Sequence, residues 1–143
     1  MTGFTVNLPK PKRVLRLSTF PGQPESEANL HRAVAVWLRD NIKPPATWST
    51  IDAGAGKLRP RTARQRKNRG VKPGWPDILV IAPGPNVVGL ELKAEAGKQS
   101  LDQRKVEADF KDCRAWYILC RSVEEVERAL RFCKVPLRTM RAA

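Results

Sequence analysis

Several residue types are scarce in this 143-residue sequence, and each scarcity excludes a class of protein. His31 is the only histidine, which leaves little material for a histidine-built metal site or a catalytic triad. The three cysteines, Cys113, Cys120 and Cys133, match neither a zinc ribbon nor a CxxC pair, so we expect small, reduced core residues of a cytoplasmic protein. No apolar run approaches the roughly 18 to 20 residues that span a bilayer, and no secretory signal begins the chain. We therefore expect a soluble protein without a membrane partner.

Acidic residues are also scarce relative to basic ones. The sequence has 27 Lys and Arg against 14 Asp and Glu, a formal net charge of +13 and a pI near 10.4. Basic residues could simply solvate the surface, but this excess is large and clustered. Nucleic acid is therefore the partner that the composition favours.

The basic residues are concentrated in residues 54–74, GAGKLRPRTARQRKNRGVKPG. The segment is too polar and too rich in glycine to supply a core, so we predict a long surface loop that becomes ordered on nucleic acid. The predicted nucleic-acid-binding side chains are the eight basic residues of this loop, Lys57, Arg59, Arg61, Arg64, Arg66, Lys67, Arg69 and Lys72.

The chain length suits one domain with appendages. Prolines and basic residues predict that residues 1–24 form an extended basic arm. The domain is expected over residues 25–134, and residues 135–143 are a basic tail. Hydrophobic periodicity predicts helices at 25–41 and 100–112 and after Ser122, and strands at 47–53, 78–82, 87–93 and 115–120. Leu101, Val106 and Phe110 are the predicted inward positions of the second helix. This order predicts an α/β domain with a mixed sheet.

Charged residues gather in the predicted hairpin. In the strand VVGLELK, side chains alternate, so that Glu91 and Lys93 share one face while Leu90 and Leu92 face the core. Perfect pairing across a four-residue turn at 83–86 would place Asp77 opposite Leu92, on the wrong face. We therefore predict a register that differs by one residue, or a bulge, which brings Asp77, Glu91 and Lys93 together.

Two adjacent carboxylates repel each other unless a cation lies between them, and oxygen ligands favour Mg²⁺ or Mn²⁺ over zinc. Such an ion can activate water and neutralise charge that develops on a phosphate. Lys93 can orient the water or stabilise the transition state. For an ELK triplet alone, the alternative is an edge strand whose charges point to solvent. Together with Asp77, the residues favour phosphodiester hydrolysis.

The string GWPDILVIAPGPNVVGLELK resembles the PD-(D/E)XK nuclease signature. The preceding sequence RGVKPGWPD, with Gly70 and Gly74, resembles that of the VRR-NUC branch, the virus-type replication and repair nucleases. The resemblance covers about residues 25–130 and implies a restriction-endonuclease-like α-β-β-β-α-β core. It also implies a site composed of the metal ligands Asp77, Glu91 and the backbone carbonyl of Leu92, with Lys93 as the catalytic lysine.

The resemblance implies roles for two residues outside the hairpin. Glu27 on the first helix would approach the metal, although it could instead interact with the helix N-terminus. Gln103 would be a catalytic glutamine, although it could instead form a capping box with Ser100. We expect that one rotamer of Gln103 cannot serve both roles.

The resulting prediction is a Mg²⁺- or Mn²⁺-dependent DNA endonuclease. The resemblance implies that the substrate is branched DNA, such as four-way junctions or flaps, in replication, repair or recombination. It also implies a homodimer. The protein would act inside a cell, as a cellular protein or as that of a virus or phage. The alternatives are a non-catalytic basic nucleic-acid-binding protein and a subunit of a larger repair assembly. Trp75 either stacks on a base or shields the site, while Trp37, Trp48 and Trp116 belong to the core.

Overall fold

A computed structural model of the protein describes residues 26–51 and 60–138. Over these ranges the chain forms four helices and an open, mixed, four-stranded sheet, which confirms the predicted α/β class. None of these helices is long and apolar enough to cross a membrane. The elements in chain order are α1 (Glu27–Asn41), β1 (Thr47–Thr50), α2 (Pro60–Asn68), β2 (Ile78–Ala82), β3 (Asn86–Leu92), α3 (Leu101–Asp112), β4 (Trp116–Cys120) and α4 (Val123–Phe132). The predicted arm, residues 1–24, lies outside the described residues.

The strands lie in the order β1-β2-β3-β4. The first two pairings are antiparallel, whereas β3 and β4 are parallel and are connected through α3. One face of the sheet packs against α1 and α4 in the main apolar core, and Val106 and Phe110 of α3 pack against Tyr117 on the other face. Because helices cover both faces, β3 is buried along most of its length.

Serine residues cap three of the helices, and two of these caps, at Ser100 and Ser122, are predicted by the sequence. Ser26, Ser100 and Ser122 each accept a hydrogen bond from the backbone N–H three residues later. The prediction that Leu101 points inward is wrong, because this side chain is 73% exposed. Leu101 precedes Val106 by five residues and so points about 140° away from it around a helix of 3.6 residues per turn.

The prediction of one continuous loop over residues 54–74 is also wrong, because residues 60–68 form α2. Arg, Gln, Lys and Ala are strong helix formers. Pro60 occupies the first helical position, where a backbone N–H would have no partner within the helix, so proline is tolerated there. Gly70, with a φ of 86°, ends the helix, and the N–H of Val71 reaches the carbonyl of Arg66 at 3.0 Å. Of the eight predicted binding residues, Lys57 and Arg59 lie outside the described part.

The described residues of the predicted basic tail, 135–138, contact the domain. Val135 is buried in the main core, and Leu137 forms a β-bridge with Ile42. Cys120 and Cys133 are buried core residues, as predicted. The prediction is wrong for Cys113, which is exposed at the C-terminal cap of α3.

Candidate active site

The turn between β2 and β3 sets the position of the predicted acidic pair. It contains three residues, 83–85, because Asn86 already pairs with Ala82. Gly84 adopts the positive φ of 113° within it. The pairing then runs regularly to Ile78 opposite Leu90. The predicted register difference of one residue is therefore confirmed, and it arises from the shorter turn.

This register places Asp77 level with Glu91. Asp77 directly precedes β2, and its Oδ2 accepts a hydrogen bond from the N–H of Leu92 at 2.7 Å. Glu91 lies on the strand face opposite to Leu90 and Leu92, yet it is only 1% exposed because α3 covers that face. The two carboxylates thus approach each other in a largely dehydrated environment.

Lys93 completes the predicted group immediately after β3. Its N–H donates to the carbonyl of Cys120 at 3.1 Å, which continues the parallel pairing with β4. Its Nζ lies 3.1 Å from Oε1 of Glu91 and 3.8 Å from Oε1 of Glu27 at the start of α1. The structure therefore brings Asp77, Glu91, Lys93 and Glu27 together, while their catalytic roles remain predictions.

Gln103 contacts Ser100 and Glu91 at once. Its Oε1 accepts the N–H of Ser100 at 2.8 Å, and its Nε2 donates to Oε1 of Glu91. The capping box with Ser100 is complete. Contrary to the expectation, one rotamer completes the cap and also contacts Glu91, because the amide has both an acceptor and a donor. The catalytic role of Gln103 stays a prediction.

Burial and neighbouring negative charges disfavour the charged forms of the two carboxylates. Burial raises the pKa of Asp77, against the lowering effects of the Leu92 N–H and of the charges on His31 and Lys93. Burial also raises the pKa of Glu91, and the neighbouring charge of Asp77 raises it further, while Lys93 lowers it. A cation bound between the carboxylates would relieve both effects.

Tyr117 is a site residue that the sequence analysis missed. Its hydroxyl lies 3.3 Å from Oε2 of Glu91 and 3.1 Å from the carbonyl oxygen of Gly74, and it can donate to either. Burial, and then the charge of Glu91, raise the pKa of the Tyr117 hydroxyl, which keeps it a donor. This contact joins residues far apart in the chain. The only local signal for it is that Tyr117 lies on the face of β4 that is turned away from the main core.

His31, the single histidine, lies beside the site. It follows Glu27 by one helical turn on α1, and its Nε2 is 3.1 Å from Oγ1 of Thr50. Its charge lowers the pKa of Asp77, as noted above. The i, i+4 spacing of Glu27 and His31 is the local signal that could have identified it.

Arg121 holds the segment that follows Lys93. Its guanidinium donates to the carbonyls of Ala94 at 2.5 Å, Glu95 at 3.1 Å and Gly97 at 2.9 Å. A Cβ on Gly97 would lie 3.1 Å from Oε1 of Glu27 and 3.2 Å from Cδ of Lys93, so this segment packs directly against the site. We call residues 94–97 and Arg121 the arginine clamp; the sequence analysis did not identify it.

The donor set fits a divalent ion that is completed by substrate and water. Within residues 26–51 and 60–138, no group of three His, Cys, Asp or Glu side chains is arranged to hold a metal ion. Mg²⁺ commonly uses one or two carboxylates together with substrate phosphate and waters, and Asp77 and Glu91 can supply the two carboxylates. Hard carboxylate oxygens suit Mg²⁺ or Mn²⁺ better than a structural zinc ion, which is bound mainly by Cys and His.

The basic segment leads directly into the site. Its exposed basic side chains in the described region are Arg64, Lys67, Arg69 and Lys72, while Arg66 is half-buried and Arg61 lies near the start of α2. At its end, Gly74 lies so close to α3 that a Cβ there would be 2.3 Å from the carbonyl oxygen of Asp102. The segment thus joins a positively charged surface to Asp77.

Comparison of this chain with protein-family models, with curated proteins and with solved structures finds no match. A functional assignment therefore depends on the residues and their geometry. The features that bear on it are the acidic pair, Lys93, Gln103 and the adjoining basic segment.

Proposed function

We propose that this chain is a divalent-metal-dependent DNA endonuclease of the PD-(D/E)XK type, related to the VRR-NUC branch. The observation that carries the proposal is the hairpin register that sets Asp77 beside Glu91, with the Nζ of Lys93 3.1 Å from Glu91. The element order α1-β1-β2-β3-α3-β4 is compatible with a restriction-endonuclease-like core into which α2 is inserted.

Asp77 and Glu91 would hold Mg²⁺ or Mn²⁺, with the backbone carbonyl of Leu92 as the third protein ligand. When bound, such an ion supplies a Lewis acid for the phosphate and lowers the pKa of a water ligand. Glu91 is already oriented for this role, because Gln103 donates to one of its oxygens and Tyr117 can donate to the other. Donors on both oxygens limit rotation of the carboxylate.

Lys93 supplies the positive charge beside the reacting phosphate. Its side chain is mostly buried, and its Nζ lies between two carboxylates, Glu91 and Glu27. A bound cation would take over part of the neutralisation of Glu91, so that the ammonium could donate to a phosphate oxygen or to the attacking water. Glu27 holds Lys93 from the α1 side, and an additional role for Glu27 at the metal remains part of the proposal.

The basic segment supplies the DNA contacts. Arg64, Lys67 and Arg69 are exposed on or next to α2, and Lys72 follows close to the site. Contacts from Lys and Arg to phosphates bind without reading sequence, so we expect recognition of DNA shape. Branched DNA, such as flaps or four-way junctions, and a homodimer that presents two sites are the corresponding expectations for substrate and assembly.

The decisive experiment compares cleavage by the wild type, Lys93→Ala and Lys98→Ala. Lys98 is a matched control because it is exposed, equally basic and only five residues away. Each protein is incubated with labelled single-stranded, duplex, flap and four-way-junction DNA in Mg²⁺ or Mn²⁺, with EDTA as a control. We expect metal-dependent cutting by the wild type and Lys98→Ala, and at least a roughly 100-fold lower rate for Lys93→Ala. Salt-sensitive binding without cutting would instead establish the non-catalytic alternative.

A further inference from the structure

Trp75 is an exposed aromatic residue at the edge of the carboxylate site. Its side chain is 40% exposed, and its ring meets Phe110 edge-on, with centroids 5.3 Å apart. Phe110 in turn meets Tyr117 edge-on at 5.5 Å, and the Tyr117 hydroxyl lies 3.3 Å from Glu91. A continuous series of ring contacts therefore connects the exposed indole with the buried carboxylate.

The backbone on both sides of Trp75 is held by close contacts. The carbonyl of Gly74 lies 3.1 Å from the hydroxyl of Tyr117, and Gly74 abuts the backbone of α3 at Asp102. On the other side, Pro76 is fully buried, and a Cβ on Gly89 would lie 2.7 Å from its Cγ. The indole is therefore an exposed aromatic group on a fixed support, which is the arrangement that stacking on a nucleobase requires.

The surroundings of Trp75 complement a nucleotide. The contact between Gly74 and Asp102 brings the exposed Leu101 end of α3 beside the Trp75 segment. The exposed side chain of Lys72 provides a positive charge nearby in the chain. A nucleotide combines an apolar base with a negative phosphate, which matches apolar side chains bordered by a basic one.

The distance to the acidic pair suits a single nucleotide. Trp75 and Asp77 are separated by two peptide units, so their Cα atoms are at most about 7.6 Å apart. A base that stacks on the indole would therefore belong to a nucleotide whose phosphate lies at, or next to, the carboxylates. In an intact duplex each base is stacked between its neighbours, which leaves no free face for the indole.

We propose that Trp75 stacks on an unpaired nucleobase next to the scissile phosphodiester. The substrate class is then DNA with at least one unstacked nucleotide at the cutting point, as in a single strand or a flap. The position of the scissile phosphate rests on the proposed function, whereas the stacking itself can be measured without cleavage. Because every base has an aromatic face, this contact selects for unpaired structure and tolerates any sequence.

The test measures DNA binding in EDTA, where a metal-dependent nuclease cannot cut. A labelled single-stranded oligonucleotide, the same length of abasic backbone and a matched duplex are titrated with the wild type, Trp75→Leu and Trp75→Phe. Phe132→Leu is the matched control, because Phe132 is 51% exposed and meets Trp116 edge-on at 5.6 Å, on another part of the surface. Fluorescence anisotropy gives each dissociation constant.

We expect Trp75→Leu to bind the single strand roughly tenfold more weakly, while Trp75→Phe and Phe132→Leu stay within about threefold of the wild type. Duplex affinity should be unchanged in all variants. The wild type should prefer the single strand over the abasic backbone, and Trp75→Leu should lose most of that preference. If Trp75→Leu is poorly folded, the wild-type comparison between normal and abasic strands still tests whether nucleobases contribute to binding.

Wild-type affinity that is equal for normal and abasic strands would overturn the inference, as would equal losses of Trp75→Leu on single strand and duplex. These outcomes are separate from failure of the proposed function, which would appear as the absence of metal-dependent cleavage with the binding differences intact. Metal-dependent cleavage, together with wild-type affinity of Trp75→Leu for the single strand, would support the nuclease and contradict only the stacking.

Discussion

Gln103 donates a hydrogen bond from Nε2 to the carboxylate of Glu91 from the first turn of α3. The other corner of the same amide accepts the N–H of Ser100, the cap residue of that helix. The start of α3 and the orientation of Glu91 are therefore set by one side chain. This arrangement predicts that capping and catalysis can be separated by mutating each partner of the capping box in turn.

Ser100→Ala and Gln103→Ala should have similar effects on stability and different effects on activity. Each variant removes one hydrogen bond of the capping box, at a cost of about 1 kcal/mol in the free energy of unfolding. Only Gln103→Ala also frees the Glu91 carboxylate, so we expect kcat to fall at least roughly tenfold in that variant alone. Urea denaturation and steady-state cleavage measure the two effects. Equal activity losses in both variants would mean that Gln103 acts only through the helix cap.

The hydrophobic pattern predicts the carboxylate pair only together with the chemistry of the site. Alternation in VVGLELK places Glu91 and Lys93 on one face, and the requirement that Asp77 join them predicts the shifted register. The three-residue turn that produces this register was not predicted, because Asn86 is a frequent turn residue and was assigned to the turn. Local residue preferences thus located the hairpin, and the chemistry of the site corrected its pairing.

Other parts of the site depend on contacts that the sequence does not encode locally. Arg121 and Tyr117 reach the site because β4 pairs in parallel with β3, which joins residues more than 20 positions apart. Helix α2 is missing from the sequence prediction for a different reason, because high charge and glycine content favour a loop, whereas Arg, Gln, Lys and Ala favour a helix. Composition therefore did not predict the conformation of this segment, and its proposed role in DNA binding stays a prediction.

The metal-free protein should lose stability as the pH rises. Burial raises the pKa values of Asp77 and Glu91 above their ordinary values of 3.8 and 4.5. The folded state then binds these protons more tightly than the unfolded state, so their contribution stabilises the fold below about pH 4 and is lost as the pH rises through the raised pKa values. Mg²⁺ binds the ionised forms, so its stabilising effect should grow over the same range.

Urea denaturation between pH 4 and pH 8, with and without Mg²⁺, measures this dependence. Asp77→Asn should reduce both the pH dependence and the Mg²⁺ effect, because it removes one raised carboxyl and one cause of the raised pKa of Glu91. Asp109→Asn is the control, since Asp109 is exposed on α3. A Mg²⁺ effect that Asp77→Asn leaves unchanged would place the ion elsewhere.

The arginine clamp should affect turnover more than DNA binding. Lysine cannot reproduce the fork of donors with which Arg121 binds three carbonyls, so Arg121→Lys should loosen residues 94–97 next to Lys93. We expect kcat to fall about tenfold while KM changes less than about twofold. Hydrogen exchange should accelerate in a peptide that covers residues 93–99. Arg131→Lys is the control, because Arg131 pairs with Glu127 on the surface of α4. Unchanged kcat in Arg121→Lys would show that the arginine clamp has only a structural role.

Helix α2 should contribute to DNA affinity through phosphate contacts. In B-DNA, each neutralised phosphate contributes about 0.9 to the slope of log affinity against log salt concentration. If Arg64 and Lys67 each contact one phosphate, the double alanine variant should lower the slope by nearly two. The control is the double variant of Arg39 and Lys43, which are exposed near the end of α1. Equal slopes for both double variants and the wild type would exclude α2 from the DNA interface.

Gly74 and Gly70 should respond differently to alanine, although their φ angles are 88° and 86°. A Cβ on Gly70 would meet no described atom within 4 Å, so Gly70→Ala should cost only the backbone strain, about 1 to 2 kcal/mol. A Cβ on Gly74 would lie 2.3 Å from the carbonyl oxygen of Asp102, so Gly74→Ala adds a clash between two backbone segments and should cost roughly 1 to 3 kcal/mol more.

The same clash should also lower activity, because the backbone that must move continues through Trp75 to Asp77. Gly74→Ala is therefore expected to lose most of its cleavage under conditions where it remains folded, whereas Gly70→Ala keeps it. Circular dichroism establishes folding, and cleavage is compared at the same folded concentration. If the two variants are equally stable and equally active, close packing of Gly74 against α3 does not position Asp77, and the hairpin pairing alone must hold the carboxylate in place.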